Sequence, residues 1–291
     1  MNPTPSRASL PDPAELIKRI HQDIQMGKLP LPSLPNMALR VRQAVSDPRK
    51  SNHDIAKIVQ LDPPLAARLI QIANSPLYRG RFPSDDCLSA ITRLGLESTR
   101  NFVISFTLRQ NFFKAPAGIK NYLTDLWSHS CHVAAISYVL AGTVPYLQAD
   151  RALLAGLLHD IGVMPVLYYL CEWPQCLKDR EWIDQVIQKL RGPLGTLILK
   201  YWKFDEELIH IPRQAENWPR QNDKPIDYID IVIVAQAHSL MKKPYHLNVP
   251  QLNEIPAYHK FCLGKLGPDA SLELLSEAQE ELDSMLGLLD A

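Results

Sequence analysis

Residues 152–162 read Ala-Leu-Leu-Ala-Gly-Leu-Leu-His-Asp-Ile-Gly. Ala152, Ala155 and Gly156 fall on one helical face, in line with His159, and leucines fill the rest of the circumference. Such a pattern predicts a helix packed on all sides, over 151–160, with Asp150 as its cap and Gly162 just beyond the turn. An imidazole beside a carboxylate, where helical geometry relaxes, can aim both donors at one ion. Nitrogen with carboxylate oxygen suits iron, manganese or a similar divalent metal. The same two side chains can instead hold one another and finish the helix, because a buried carboxylate needs a partner. The surrounding stretch, 152–171, is the most apolar in the chain, yet His159, Asp160, Gly162 and Pro165 interrupt it. That predicts a core helix and a second element, with no membrane span.

Outward from this point the apolar spacing is helical almost everywhere, with no sustained strand alternation, so the fold class is all-α. Towards the N-terminus, Leu16, Ile17, Ile20 and Ile24 line a helix over 14–25, and the proline-rich residues 1–13 predict a disordered tail. Leu-Pro-Leu-Pro-Ser-Leu-Pro at 29–35 forbids helix. Ser51 with Asp54, and Asp62 with Pro63, mark the starts of two short helices. Helices over 85–94 and from residue 97 meet at Gly95. Ala-Pro-Ala-Gly at 115–118 breaks the pattern and divides a helical lobe at 14–115 from a second at 119–245.

The second lobe opens with a helix over 126–141. Further helices are predicted over 182–190, 194–202 and 226–242. A C-terminal extension, 246–291, carries a leucine seam at Leu272, Leu275, Leu282, Leu286 and Leu289. Its period suits either docking on its own domain or a homodimer.

Lysine plus arginine number 31 and aspartate plus glutamate 31. With no basic field, non-specific nucleic-acid or anionic-membrane binding is disfavoured. The five cysteines, an odd number with no Cys-x-x-Cys pair, exclude a disulfide scaffold and suit a reducing cytoplasm. Arg68, Arg79, Arg81, Arg93 and Arg100 crowd the first lobe, as a solvated face or as a docking or anion-binding surface. Residues 89–105, helix then Gly95 then helix, read as two packed helices or as a helix-turn-helix that regulates transcription.

Four spaced segments carry a resemblance. Leu-Pro-Ser-Leu-Pro (31–35), Ile-Val-Gln-Leu-Asp-Pro-Pro-Leu (58–65), Ile-Ala-Asn-Ser-Pro-Leu-Tyr (72–78) and Ala-Ile-Thr-Arg-Leu-Gly-Leu (90–96) occur in the order found in HDOD domains. With His159-Asp160 they make the chain similar to that family, a branch of the HD phosphohydrolase superfamily. The resemblance implies a helical, non-catalytic module of bacterial signal transduction, acting through a protein partner or a small ligand. It also implies the alternative of a metal-dependent phosphohydrolase. HD enzymes hold metal with a histidine, the His-Asp pair and a later aspartate. The matching positions here are His129, His159, Asp160 and His238, so the last carboxylate is replaced by an imidazole. The histidines that the family often keeps further on are absent from Arg191-Gly-Pro-Leu-Gly195 and from Gln214-Ala-Glu-Asn217. A degenerate site, with no cofactor required, is the expectation.

Overall fold

The computed structural model describes residues 13–28, 31–113, 116–171, 173, 175–241, 249–262 and 270–290, so the expected tail lies almost wholly outside the described residues. Every regular element among them is helical. Helix α1 spans Pro13–Gln25, α2 Asn36–Val45, α3 Asn52–Val59, α4 Pro63–Ala73, α5 Cys87–Leu94 and α6 Leu96–Phe113. The starts are set by local chemistry. Ser51 and Asp54 form a reciprocal capping box on α3, and Asp62 accepts the Leu65 amide ahead of the two prolines of α4. Gly95 turns between α5 and α6 with φ of 78°, a left-handed backbone that glycine adopts without strain.

The second half is built around α7, Lys120–Gly142, which is longer than the expected 126–141. It packs against α8 (Ala149–Leu158), α13 (Tyr228–Met241), α16 (Gln279–Asp290) and α6. A Cβ on Gly156 would sit 2.5 Å from the Ala134 Cα, so the small face of α8 lets two backbones touch. After α8 the chain turns through His159–Gly162 into α9, Val163–Leu170. A Cβ on Gly162 would meet the Arg191 carbonyl at 1.9 Å, so this turn is pressed directly onto the next long helix.

That helix, α10, runs unbroken over Arg180–Tyr201 with Pro193 inside it, where the sequence predicts two helices. Proline forfeits one helical hydrogen bond. Leu190, Leu194, Ile198 and Leu199 are buried on either side of it, and this apolar burial holds the helix through the defect. Two single-turn helices, α11 (Glu206–Ile209) and α12 (Ile211–Gln214), lead to α13. Beyond it lie α14 (Pro256–Cys262) and α15 (Ala270–Glu277), and Ala278 separates α15 from α16, so the expected leucine seam is two helices. Leu282, Met285, Leu288 and Leu289 are buried, and the Trp127 indole donates to Asp290 at 3.0 Å. The C-terminal helix is therefore docked on its own chain.

Segments 14–115 and 119–245 share one continuous apolar core. Helix α1 lies on α10, α6 crosses α8, and the Trp202 indole donates to the Pro32 carbonyl at 2.8 Å. Asp150 is the clearest link. It caps nothing, because Gln148 is the residue preceding α8. Its carboxylate is 2% exposed and accepts from Tyr78 at 3.1 Å, Ser98 at 3.0 Å and Asn101 at 2.7 Å. Among the described residues one stretch, Ala149–Leu170, is long and apolar enough to cross a membrane; 89% of its window is buried in the molecule, and the turn at His159–Gly162 splits it.

Candidate functional site

His159 and Asp160 leave the end of α8 pointing into the space between α7, α10 and α13. The His159 Nδ1–H donates to the Gly156 carbonyl at 2.7 Å, which fixes the ring and leaves Nε2 facing inward. That nitrogen lies 3.2 Å from Asp160 Oδ2, out of line for a directed hydrogen bond. His129, from α7, brings its Nε2 to 3.9 Å from the same oxygen, and its Nδ1 lies 3.2 Å from the Ser239 hydroxyl. The two imidazoles meet edge to face with centroids 5.3 Å apart. Ligand atoms from His129, His159 and Asp160 all fall within 4.8 Å of one another.

His238 does not join them. It is buried, yet it lies outside the group of close donors. Successive helical residues are about 100° apart. Gln236 and Ser239, three apart, share the face of α13 that reaches Glu216 and His129.

On its other side Asp160 is held by a residue that the sequence signals only as a missing histidine. Arg191 of α10 donates from Nη1 to Asp160 Oδ1 at 2.7 Å and pairs through Nη2 with Glu216 Oε2. Gln236 donates from Nε2 to Glu216 Oε1 at 3.3 Å, and its own buried carbonyl oxygen has no hydrogen-bond partner. The Gly162 contact sets the register: the Arg191 backbone is pressed against the turn that carries the His-Asp pair, so its side chain must leave beside Asp160.

Electrostatics follow from these contacts. Burial pushes the Asp160 carboxyl up, but His159, Arg191 and His129 outweigh it and hold it well below the usual carboxylate range. Burial likewise opposes a charge on His159, and Asp160 with the Gly156 carbonyl overcomes it, so its pKa is raised. Burial also weighs against the Arg191 charge, and Asp160 and Glu216 reverse the balance. The cluster is a compact set of ion pairs, buried but for the edge at Glu216.

Three donors so close have the spacing for one ion. Their charge does not fit a divalent cation. The only carboxylate among them already carries a guanidinium on Oδ1, and like unit charges 4 Å apart oppose each other by about 4 kcal/mol at an effective dielectric of 20.

The five arginines of the first half sit in different surroundings. Arg93 donates to the carbonyls of Ala73 and Phe82 and to Asn74, closing the 74–84 loop. Arg100 pairs with Glu97 at 2.5 Å, and exposed Arg81 lies over the Phe82 ring at 5.5 Å. Arg79 is exposed. Arg68 lines a cavity of about 370 Å³ between α4 and α6, with Arg109, Gln110, Thr107 and Asp62. Burial and the neighbouring Arg109 charge lower the Arg68 pKa.

A third buried acid escapes sequence reading altogether. Asp230, fully buried on α13, pairs with Arg220 and, at 2.7 Å, with Lys260. It ties the loop before α13 and helix α14 to the core.

Comparison with known proteins agrees with this architecture. The family model of the HDOD domain matches residues 31–218. No curated protein matches the sequence. A Shewanella amazonensis structure described as a "Putative metal-dependent phosphohydrolase" is 26% identical, with a TM-score of 0.78 over 95% of this chain and 99% of that one. An HDOD domain protein with unknown function from Geobacter sulfurreducens is 18% identical, with a TM-score of 0.65 over 95% and 98% of the two chains.

Proposed function

The chain belongs to the HDOD domain family, and from that premise we propose that it is a non-catalytic signal-transduction module, working in the cytoplasm through a protein partner or a small ligand. The observation that carries this reading is the guanidinium of Arg191 on Asp160, the only carboxylate of the His129–His159–Asp160 group. Metal-assisted hydrolysis needs a cation that polarises a phosphoryl oxygen or lowers the pKa of bound water. A cluster whose carboxylates are already paired with a guanidinium has little left to hold such a cation. The seat we assign to a small ligand is the cavity beside Arg68, which Asp62, Thr107, Arg109 and Gln110 also line.

A duplex-reading role finds no support in the packing. Residues 101–108 of α6, the helix that follows Gly95, are all buried, so the middle of this helix has no face to lay in a groove. The zero net charge argues the same way.

The alternative of a metal-dependent phosphohydrolase is favoured by the 4.8 Å spacing of the three donors and by the description of the 26% identical Shewanella amazonensis protein. Assay of phosphodiester and nucleotide hydrolysis with added manganese or iron separates the two. The regulatory reading expects no turnover above background. Metal-dependent turnover that disappears in His159→Ala would overturn it.

A further inference from the structure

The arrangement around Arg191 points to more than the loss of a metal. A planar guanidinium bridges two carboxylates, Asp160 on one side and Glu216 on the other. Two imidazoles stand behind Asp160, at 3.2 and 3.9 Å from its second oxygen. Two carboxylates and two imidazoles gathered in one cluster are the donor types of a divalent transition-metal site, and Asp160 links the imidazoles on one oxygen to a positive centre on the other. Here the positive centre is covalently part of the chain. We propose that Arg191 is a resident cation: it fills the place of an ion between Asp160 and Glu216 and makes the site's integrity independent of metal. The inference rests on the regulatory reading above and adds to it a specific cause, one side chain, for the absence of a metal requirement.

Each link in this inference is a contact. Arg191 is anchored at its backbone by the close approach of Gly162 and at its head by the two acids, so its position is fixed from both ends. Its side chain is only 11% exposed, as an ion enclosed by its ligands would be. The elements it joins are the turn after α8, helix α10 and the segment after α12, and Gln236 extends the chain of contacts to α13 through Glu216. A metal in this position would tie the same elements together.

Without the guanidinium, Asp160 and Glu216 become two acids facing an electronegative gap, which a divalent ion relieves. The test uses the full chain and manganese chloride as probe, read by titration calorimetry and by thermal unfolding. Wild type is expected to take up no manganese. Arg191→Ala is expected to bind one ion per chain, with a rise in melting temperature that chelator reverses. Adding Asp160→Asn to Arg191→Ala should abolish the uptake, and Arg191→Lys, which keeps the charge, should bind none. Millimolar guanidinium should restore part of the stability of Arg191→Ala. If Arg191→Ala folds only when manganese or guanidinium is present, the proposal stands. If it folds unaided and neither binds manganese nor responds to guanidinium, or fails to fold under every condition, the proposal is overturned. Manganese uptake by wild type would sink the regulatory reading itself, a different result from failure of the variant.

Discussion

The two ends of α8 each bury an aspartate, and the two are kept in opposite company. Asp150, at the start, accepts hydrogen bonds from three neutral groups, Tyr78, Ser98 and Asn101, all supplied by the first half of the chain. Asp160, just past the end, is surrounded by Arg191, His159 and His129, all supplied by the second. Burial alone therefore does not tell a structural carboxylate from the remnant of a reactive one. What differs is the charge around it. Neutral donors secure a joint between two halves, whereas cations gathered on a carboxylate mark a place where positive charge is part of the design.

The comparison is broken most severely by deleting each acid in turn. Asp160→Ala strands a buried guanidinium beside Glu216 alone, and removing one partner of a buried pair costs about 3–5 kcal/mol. Asp150→Ala leaves three neutral donors unsatisfied, at about 1–3 kcal/mol. Denaturant unfolding of both variants measures the gap. A larger loss for Asp150→Ala would show that the ion pairs are not the stronger anchor.

Gly162→Ala probes the framework rather than the charge. Its Cβ would fall 1.9 Å from the Arg191 carbonyl and 2.4 Å from the Gly195 amide, so backbone must move. Overpacking of this kind costs about 1–3 kcal/mol. Because the shift displaces Arg191 from Asp160, the loss should shrink in an Asp160→Asn background, and two losses that simply add would sever that coupling.

The pH profile sharpens the contrast further. Asp160 is held below its unfolded value of about 3.9. Its contribution is therefore present above that pH and is lost as pH falls through the folded value. His159 is raised above its unfolded value of about 6.5. Its contribution is present below that pH and is lost as pH rises through the folded value. Stability from the pair should peak between about pH 4 and 6.5, with slopes approaching 1.4 kcal/mol per pH unit on either side. Asp160→Asn should flatten both limbs, and Asp150→Asn should leave them in place. Unfolding free energies measured from pH 3 to 9 decide this. The smallest effect is expected for exposed Lys178→Ala, which should leave the unfolding midpoint unchanged.

The sequence carries the fold because helical periods, capping residues and proline breaks are local signals. The capping box at Ser51 and the start at Asp62 were readable for that reason. Asp150 was not. It has the look of a cap at a helix start, and nothing local reveals partners 49 to 72 residues away. Pro193 misleads in the opposite sense, since a local rule breaks a helix that tertiary burial keeps whole. At the site, the His159–Asp160 pair and His129 are legible from their motifs. Arg191 shows only as a missing histidine, and Glu216 leaves no mark, because an ion pair between residues 191 and 216 has no sequence period. His238 illustrates the limit of motif alignment: it is buried outside the group of close donors, and its neighbour Ser239 is the residue that meets His129.

The most direct measurement is the thermal unfolding of the wild-type chain with and without a strong chelator. A metal bound only to the folded state raises stability by mass action, and its removal lowers the midpoint. With Arg191 as the resident cation, the two curves are expected to superimpose, and elemental analysis should find no stoichiometric metal. A chelator-induced drop in wild type that is absent in Asp160→Asn would contradict it.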